Sequence, residues 1–123
     1  MRVLDLGCGW GQDLSSWGVT AADKVTGLDI EPGRLTTARA RFPNRIYLQG
    51  FGECLPFGDE SFDRVISAFA LPYMNIPKTL SEIRRVLVHE GRLSLTLHLP
   101  SFTTNELLHP ASRSQSPRFI GYA

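Results

Sequence analysis

Three glycines at alternate positions, Gly7, Gly9 and Gly11, follow the short apolar run Val3-Leu4-Asp5-Leu6. Glycine admits backbone angles closed to other residues and lets a ligand come up against the main chain. At the carboxyl end of a parallel strand, such a loop is where nucleotide-like ligands sit. Two carboxylates bracket it. Asp5 stands just ahead of the loop, and Asp29 ends the next apolar run, 18 residues beyond Gly11.

Three ligands compete for this loop. A P-loop needs lysine and then Ser or Thr after its last glycine, whereas Gln12 and Asp13 follow Gly11. The dinucleotide fingerprint G-x-G-x-x-G would put its third glycine at Gln12, and Trp10 would crowd a pyrophosphate. The third is a nucleoside cofactor without phosphate. Asp5 would repel a pyrophosphate but suits a cationic ligand. Asp29 can accept hydrogen bonds from both hydroxyls of a ribose. Alone, Asp29 serves equally as a cap for the helix that begins near Pro32. Beside the glycine loop, ribose binding is the better reading.

Other residues with chemical potential are scattered. His89, His98 and His109 fall in a turn, a strand and the tail, and are read as structural or solvent-facing. Tyr73 is read as a packing aromatic. Cys8 suits close packing in the loop and is given no nucleophilic role. Arg34, Arg39 and Arg41 read as a solvated helix face. No nucleophile elbow, H-E-x-x-H helix or paired metal-ligand motif is present.

The elements that must position the loop alternate between strand and helix. Strands are predicted over 2–6, 24–30, 44–50, 62–71 and 91–99, and helices over 12–17, 31–42 and 76–88. Pro32 and Pro77 open the second and third helices. In the third, Leu80, Ile83, Val86 and Leu87 share one face. This alternation predicts an α/β fold, a doubly wound parallel sheet with helices on both faces. After Pro100 the pattern fades into a short helix and a loosely held tail over 110–123.

Composition narrows the class. The 123 residues make one domain, 42% hydrophobic and 20% charged, with a formal net charge of +1. That balance gives no reason to expect a nucleic-acid or membrane-surface partner. No apolar run approaches the roughly 20 residues that span a bilayer, and no secretory leader is evident. Two cysteines, Cys8 and Cys54, are too few for a disulfide framework. A cytoplasmic protein is expected.

Four blocks in order, "VLDLGCGWGQDL", "VTGLDIEPGRLTTARAR", "LPFGDESFDRVISAFALPYM" and "TLSEIRRVLVHEGRLSLTL", resemble class I S-adenosylmethionine-dependent methyltransferases, in the group of small-molecule and ubiquinone-pathway-like enzymes. The resemblance implies a Rossmann-like core over 1–99 with strand order 3-2-1-4-5, and S-adenosylmethionine as cofactor. It assigns Asp5, Gly7, Cys8 and Gly9 to the methionine side, with Gly11 ending the cofactor loop, Asp29 to the ribose and Ile30 to the adenine. Ser67, with Ala68 and Phe69, falls near the transferred methyl. Relatives carry Asp-Ala-Glu before Leu-Pro-Phe, and the aspartate binds the adenine amino group. Here Phe51-Gly52-Glu53 precede Cys54-Leu55-Pro56-Phe57. Phe51 cannot accept that hydrogen bond but can stack on a ring. Gly52 and Glu53 remain candidate contacts.

The implied activity is methyl transfer to a small-molecule acceptor. Relatives carry helices ahead of the glycine strand and antiparallel strands after the fifth, and neither set is found here. Three expectations stay open: a fragment truncated at both ends, a compact variant that pairs with a second copy at a bare fifth-strand edge, or a remnant that binds cofactor without turnover. A non-catalytic S-adenosylmethionine-binding or interaction domain stays as the alternative.

Overall fold

The computed structural model describes residues 1–96. Its strands are β1 (Arg2–Leu6), β2 (Lys24–Asp29), β3 (Ile46–Gln49), β4 (Phe62–Ala68) and β5 (Leu87–Thr96), and its helices α1 (Pro32–Arg41) and α2 (Ile76–Val86). The strands form one sheet in the order β3-β2-β1-β4-β5, and every pairing is parallel. The expected strand order holds. Residues 97–99 of the predicted fifth strand, the short helix and the tail lie outside the described residues, as do His98 and His109.

Alternation along the strands sorts the core into two layers. Leu4 and Leu6 of β1 join Val65, Leu93 and Leu95 beneath Ile83 and Val86 of α2. The opposite face carries Val3, Val25 and Ile66, and beside them Cys8 and Tyr47 pack on Leu35 and Ala38 of α1. Each helix is started by its neighbour in sequence. Glu31 caps α1 by accepting from Gly33 N, and Asn75 caps α2 by accepting from Lys78 N. Pro32 and Pro77 stand in the first turns, where a missing N–H costs nothing.

Three elements depart from the sequence expectation by more than two residues at one end. Residues 12–17 form no α-helix, only a 3-10 turn over Ser15–Trp17. Gln12 turns its amide to Asp5, Asp13 accepts from Ser15 N, and Gly18 at φ 83° closes the turn. The fourth strand stops at Ala68 rather than 71, and a 3-10 turn follows over Leu71–Tyr73. The fifth begins at Leu87, inside the predicted helix, because Leu87 enters the core opposite Phe62. Pairing resumes at Arg64 and Arg92, so residues 88–91 bulge from the ladder, with Glu90 at φ 63°.

The chain winds outward from β1 to β3 and then returns to β4 on the other side of β1. At that reversal the loops leaving β1 and β4 diverge, and a crevice opens at the carboxyl ends of the strands.

Candidate ligand-binding cleft

That crevice is a cleft of about 730 Å³, a volume suited to a small-molecule ligand. Its walls come from the ends of four strands and the segments that follow them: Gly7, Gly9 and Trp10 after β1; Asp29 at the end of β2, then Ile30, and Arg34 in the first turn of α1; Gly50–Glu53 after β3; and Ala68 at the end of β4, then Phe69 and Ala70. Tyr73 and Met74 close one end.

The glycine loop is built by close contact. Gly7 and Cys8 both donate their N–H to Leu28 O, at 2.8 and 3.0 Å, so the loop turns directly over the end of β2. Gly7 has φ 75°, and a Cβ there would lie 2.3 Å from Ala70 Cβ. No side chain fits. A Cβ at Gly9 would meet nothing within 4 Å, so Gly9 presents bare main chain to the cleft. Gly11 faces away, against Ala38 and Phe42 at the end of α1. Arg41 reaches back from α1 to the Trp10 and Gly11 carbonyls, at 3.4 and 3.0 Å.

Asp29 is 5% exposed and lines the cleft. Its Oδ2 accepts from Gly9 N at 2.9 Å, and its Oδ1 accepts from Glu31 N at 3.0 Å and from Arg34 Nη1 at 3.4 Å. The helix cap is Glu31, which leaves Asp29 to join the glycine loop to β2. The Arg34 guanidinium also lies over the Trp10 ring, 4.9 Å from its centroid. Such a contact is worth about 0.5–1 kcal/mol at an exposed site.

Asp5 is buried behind the loop. Its Oδ1 accepts from Gln12 Nε2 at 3.0 Å, and its Oδ2 has no partner. Burial pushes its carboxyl up to about 7; Arg45 opposes the shift and Asp29 adds to it. Burial likewise pushes the Cys8 thiol up to about 12, with Asp5 and Asp29 reinforcing it. Cys8 is therefore a neutral packing group at neutral pH.

Of the residues picked out in the sequence, Gly7, Gly9, Asp29, Ile30, Gly52 and Glu53 line the cleft together. Asp5, Cys8, Gly11 and Ser67 do not line it. Ser67 is buried in β4 and its Oγ has no partner. Phe51, half of an isolated bridge with Cys54, puts its exposed ring on the rim. Glu53 faces the cleft while its Oε2 accepts from Asn75 N at 2.9 Å. Phe69, also in the wall, has φ 62°. An aromatic residue in that region carries backbone strain that its surroundings must hold.

Sequence reasoning missed Leu28, Arg34, Gly50, Ala70 and Met74 as lining residues. For Arg34 the signal is its place in the first turn of the helix that follows Asp29. Among the described residues, no group of His, Cys, Asp or Glu could hold a metal ion, and no helix is long and apolar enough to cross a membrane.

Known proteins share this arrangement. The sequence profile of a family described as "Methyltransferase domain" matches residues 4–95. The chain is 36% identical over 91 residues to the demethylmenaquinone methyltransferase of Chlorobaculum tepidum, a match covering 73% of this chain and 38% of that one. It is 39% identical over 94 residues to the malonyl-[acyl-carrier protein] O-methyltransferase of Erwinia pyrifoliae, covering 76% and 36%. An uncharacterised methyltransferase of Synechocystis is 40% identical over 107 residues, covering 81% and 49%. The chain thus spans less than half the length of these relatives.

Among solved structures, the YcgJ protein of Bacillus subtilis superposes with a TM-score of 0.72 at 26% identity, covering 99% of this chain and 56% of that one. An S-adenosylmethionine-dependent methyltransferase of Mesorhizobium loti gives 0.69 at 28% identity, covering 80% and 47%. Sheet order, glycine loop and matched profile agree, and the chain belongs to the class I S-adenosylmethionine-dependent methyltransferase family.

Proposed function

We propose that this chain binds S-adenosylmethionine in the cleft and belongs to an enzyme that methylates a small-molecule acceptor. The observation that carries the reading is Asp29, a buried carboxylate facing the cleft beside the bare main chain of Gly9. Asp29 would hold the ribose, and Ile30 and the Phe51 ring would flank the adenine. Glu53 keeps one carboxylate oxygen clear of Asn75 for the adenine amino group. Gly7 and Gly9 would admit the methionine portion, while Cys8, Gly11 and Ser67 support the loop and β4 from behind. Asp5 adds negative potential under the loop once it ionises, which favours a cationic ligand.

When bound, the cofactor supplies an electrophilic methyl group on a sulfonium. The protein's own part is to orient the reactants in line and exclude water. Ala68, Phe69 and Tyr73, in the opposite wall, would meet the acceptor. Its small-molecule nature is supported by the relative that acts on demethylmenaquinone.

Calorimetric titration with S-adenosylmethionine and S-adenosylhomocysteine tests the reading, with NAD as control. Micromolar binding, about −8 kcal/mol, is expected for both ligands and not for NAD. It should be lost in Asp29→Ala. Absence of binding by a folded sample would sink the proposal. Binding without turnover of any screened acceptor would favour the non-catalytic alternative.

A further inference from the structure

Asp29 has more donors around it than a ribose-binding carboxylate can keep. Gly9 N is on Oδ2, and Glu31 N and Arg34 Nη1 are both on Oδ1. Each carboxylate oxygen offers about two acceptor positions. Oδ1 is therefore full, and Oδ2 has one position left. A vicinal diol held in bidentate fashion needs one position on each oxygen, so one donor on Oδ1 must withdraw.

The main-chain donors are fixed. Gly9 belongs to a loop whose Gly7 and Cys8 amides are held by Leu28 O, and Glu31 N lies at the cap of α1. Arg34 is not fixed. Its side chain is 41% exposed, and its bond to Asp29, at 3.4 Å, is the longest of the three. That length lies outside the usual N–H···O range. The guanidinium already lies over the Trp10 ring, a contact that does not depend on its bond to Asp29.

We infer that Arg34 is the displaceable occupant of the diol position on Asp29, keeping the buried carboxylate paired in the empty cleft and yielding Oδ1 when a free vicinal diol arrives. The inference rests on the nucleoside reading of the cleft given above and goes beyond it by naming the residue that competes with the ligand. Arg34 withdraws along the Trp10 face, so its charge stays near the cleft while its bond to Asp29 is exchanged for two hydroxyl bonds. A nucleoside without hydroxyls makes no such exchange and leaves Arg34 in place. Arg34 therefore lowers the affinity for a free diol specifically.

A thermodynamic cycle tests this. S-adenosylhomocysteine and its 2′,3′-dideoxy counterpart are titrated against the wild-type protein, Arg34→Met and Arg34→Gln. An ion pair this long, to a half-exposed arginine, is worth little even on a buried carboxylate, so both substitutions should tighten binding of the diol ligand by about two- to fivefold. Binding of the dideoxy ligand should stay unchanged. Weaker binding of the diol ligand would mean that Arg34 grips the nucleoside, and equal changes for both ligands would mean that it acts through the fold; either overturns the inference while the nucleoside reading stands. Failure of both ligands to bind any of the three folded proteins would remove the nucleoside reading and the inference with it.

Discussion

Asp5 and Asp29 are buried carboxylates at the ends of neighbouring strands, and their surroundings treat them differently. Asp29 is held by main-chain and arginine donors, whereas Asp5 has one amide donor and an unpartnered oxygen. In the unfolded chain Asp5 loses its proton near 3.8, and in the folded protein only near 7. Across that interval the unfolded state binds fewer protons, so stability falls as pH rises from about 4 to 7. The carboxylates of Asp23 and Asp63, lowered mainly by hydrogen bonds, act in the opposite sense and only as pH falls below their usual range. Asp5→Asn should therefore gain stability at pH 8, by up to about 4 kcal/mol, with little gain at pH 4. Urea unfolding at the two pH values reads this, and an equal change at both would refute it. The pair of carboxylates was legible in the sequence because each directly follows or precedes a recognisable strand end. Arg34 was not, because helical spacing assigns it to a charged face and says nothing of the cleft which the first turn of α1 overhangs.

Between β3 and β4 the chain has little regular structure, yet it forms one wall of the cleft. Its shape comes from α2. Glu82 accepts from Leu55 N at 2.8 Å and from Arg85 Nε at 2.7 Å, and Arg85 in turn donates to the Phe57 and Leu55 carbonyls. The hydrogen bonds from Arg85 hold the Glu82 carboxyl below its usual range. Glu82→Ala strips a donor pair of its acceptor and leaves the buried Leu55 amide unmatched. A loss of about 2–3 kcal/mol is expected, read as a lower urea midpoint at an unchanged slope. A change under about 0.5 kcal/mol would show that the loop holds its shape without α2. The strand and helix periods revealed the alternating framework, and the family resemblance supplied its sheet order. They misread residues 12–17, where the side chains of Gln12 and Asp13 bond locally instead of facing outward from a helix. They also misread Leu87, whose apolar character suits the helix face and the strand alike. Neither Glu82 nor Arg85 stood out, because polar residues on a helix usually face solvent.

At the scale of the molecule, the described strands all run parallel, and the cleft opens at the point where strand order reverses. The match to the family runs from β1 to β5, over residues 4–95, and takes in every residue that lines the cleft. The acceptor side was less legible, since fold alone does not give a substrate.

The two bonds from Gly7 and Cys8 to the Leu28 carbonyl have a kinetic consequence. Both amides sit in a loop, where exchange with deuterated solvent is ordinarily fast. Here both are held on the Leu28 carbonyl, at the point where β1 and β2 register Leu6 against Leu28. Their exchange should therefore follow the slow opening of the central strands and carry the same denaturant dependence as Leu4 and Val65. Fast, denaturant-independent exchange at Gly7 would show that the loop opens alone. A ligand arriving at Gly9 meets a surface already ordered by the sheet, and its association loses little entropy to organising the loop.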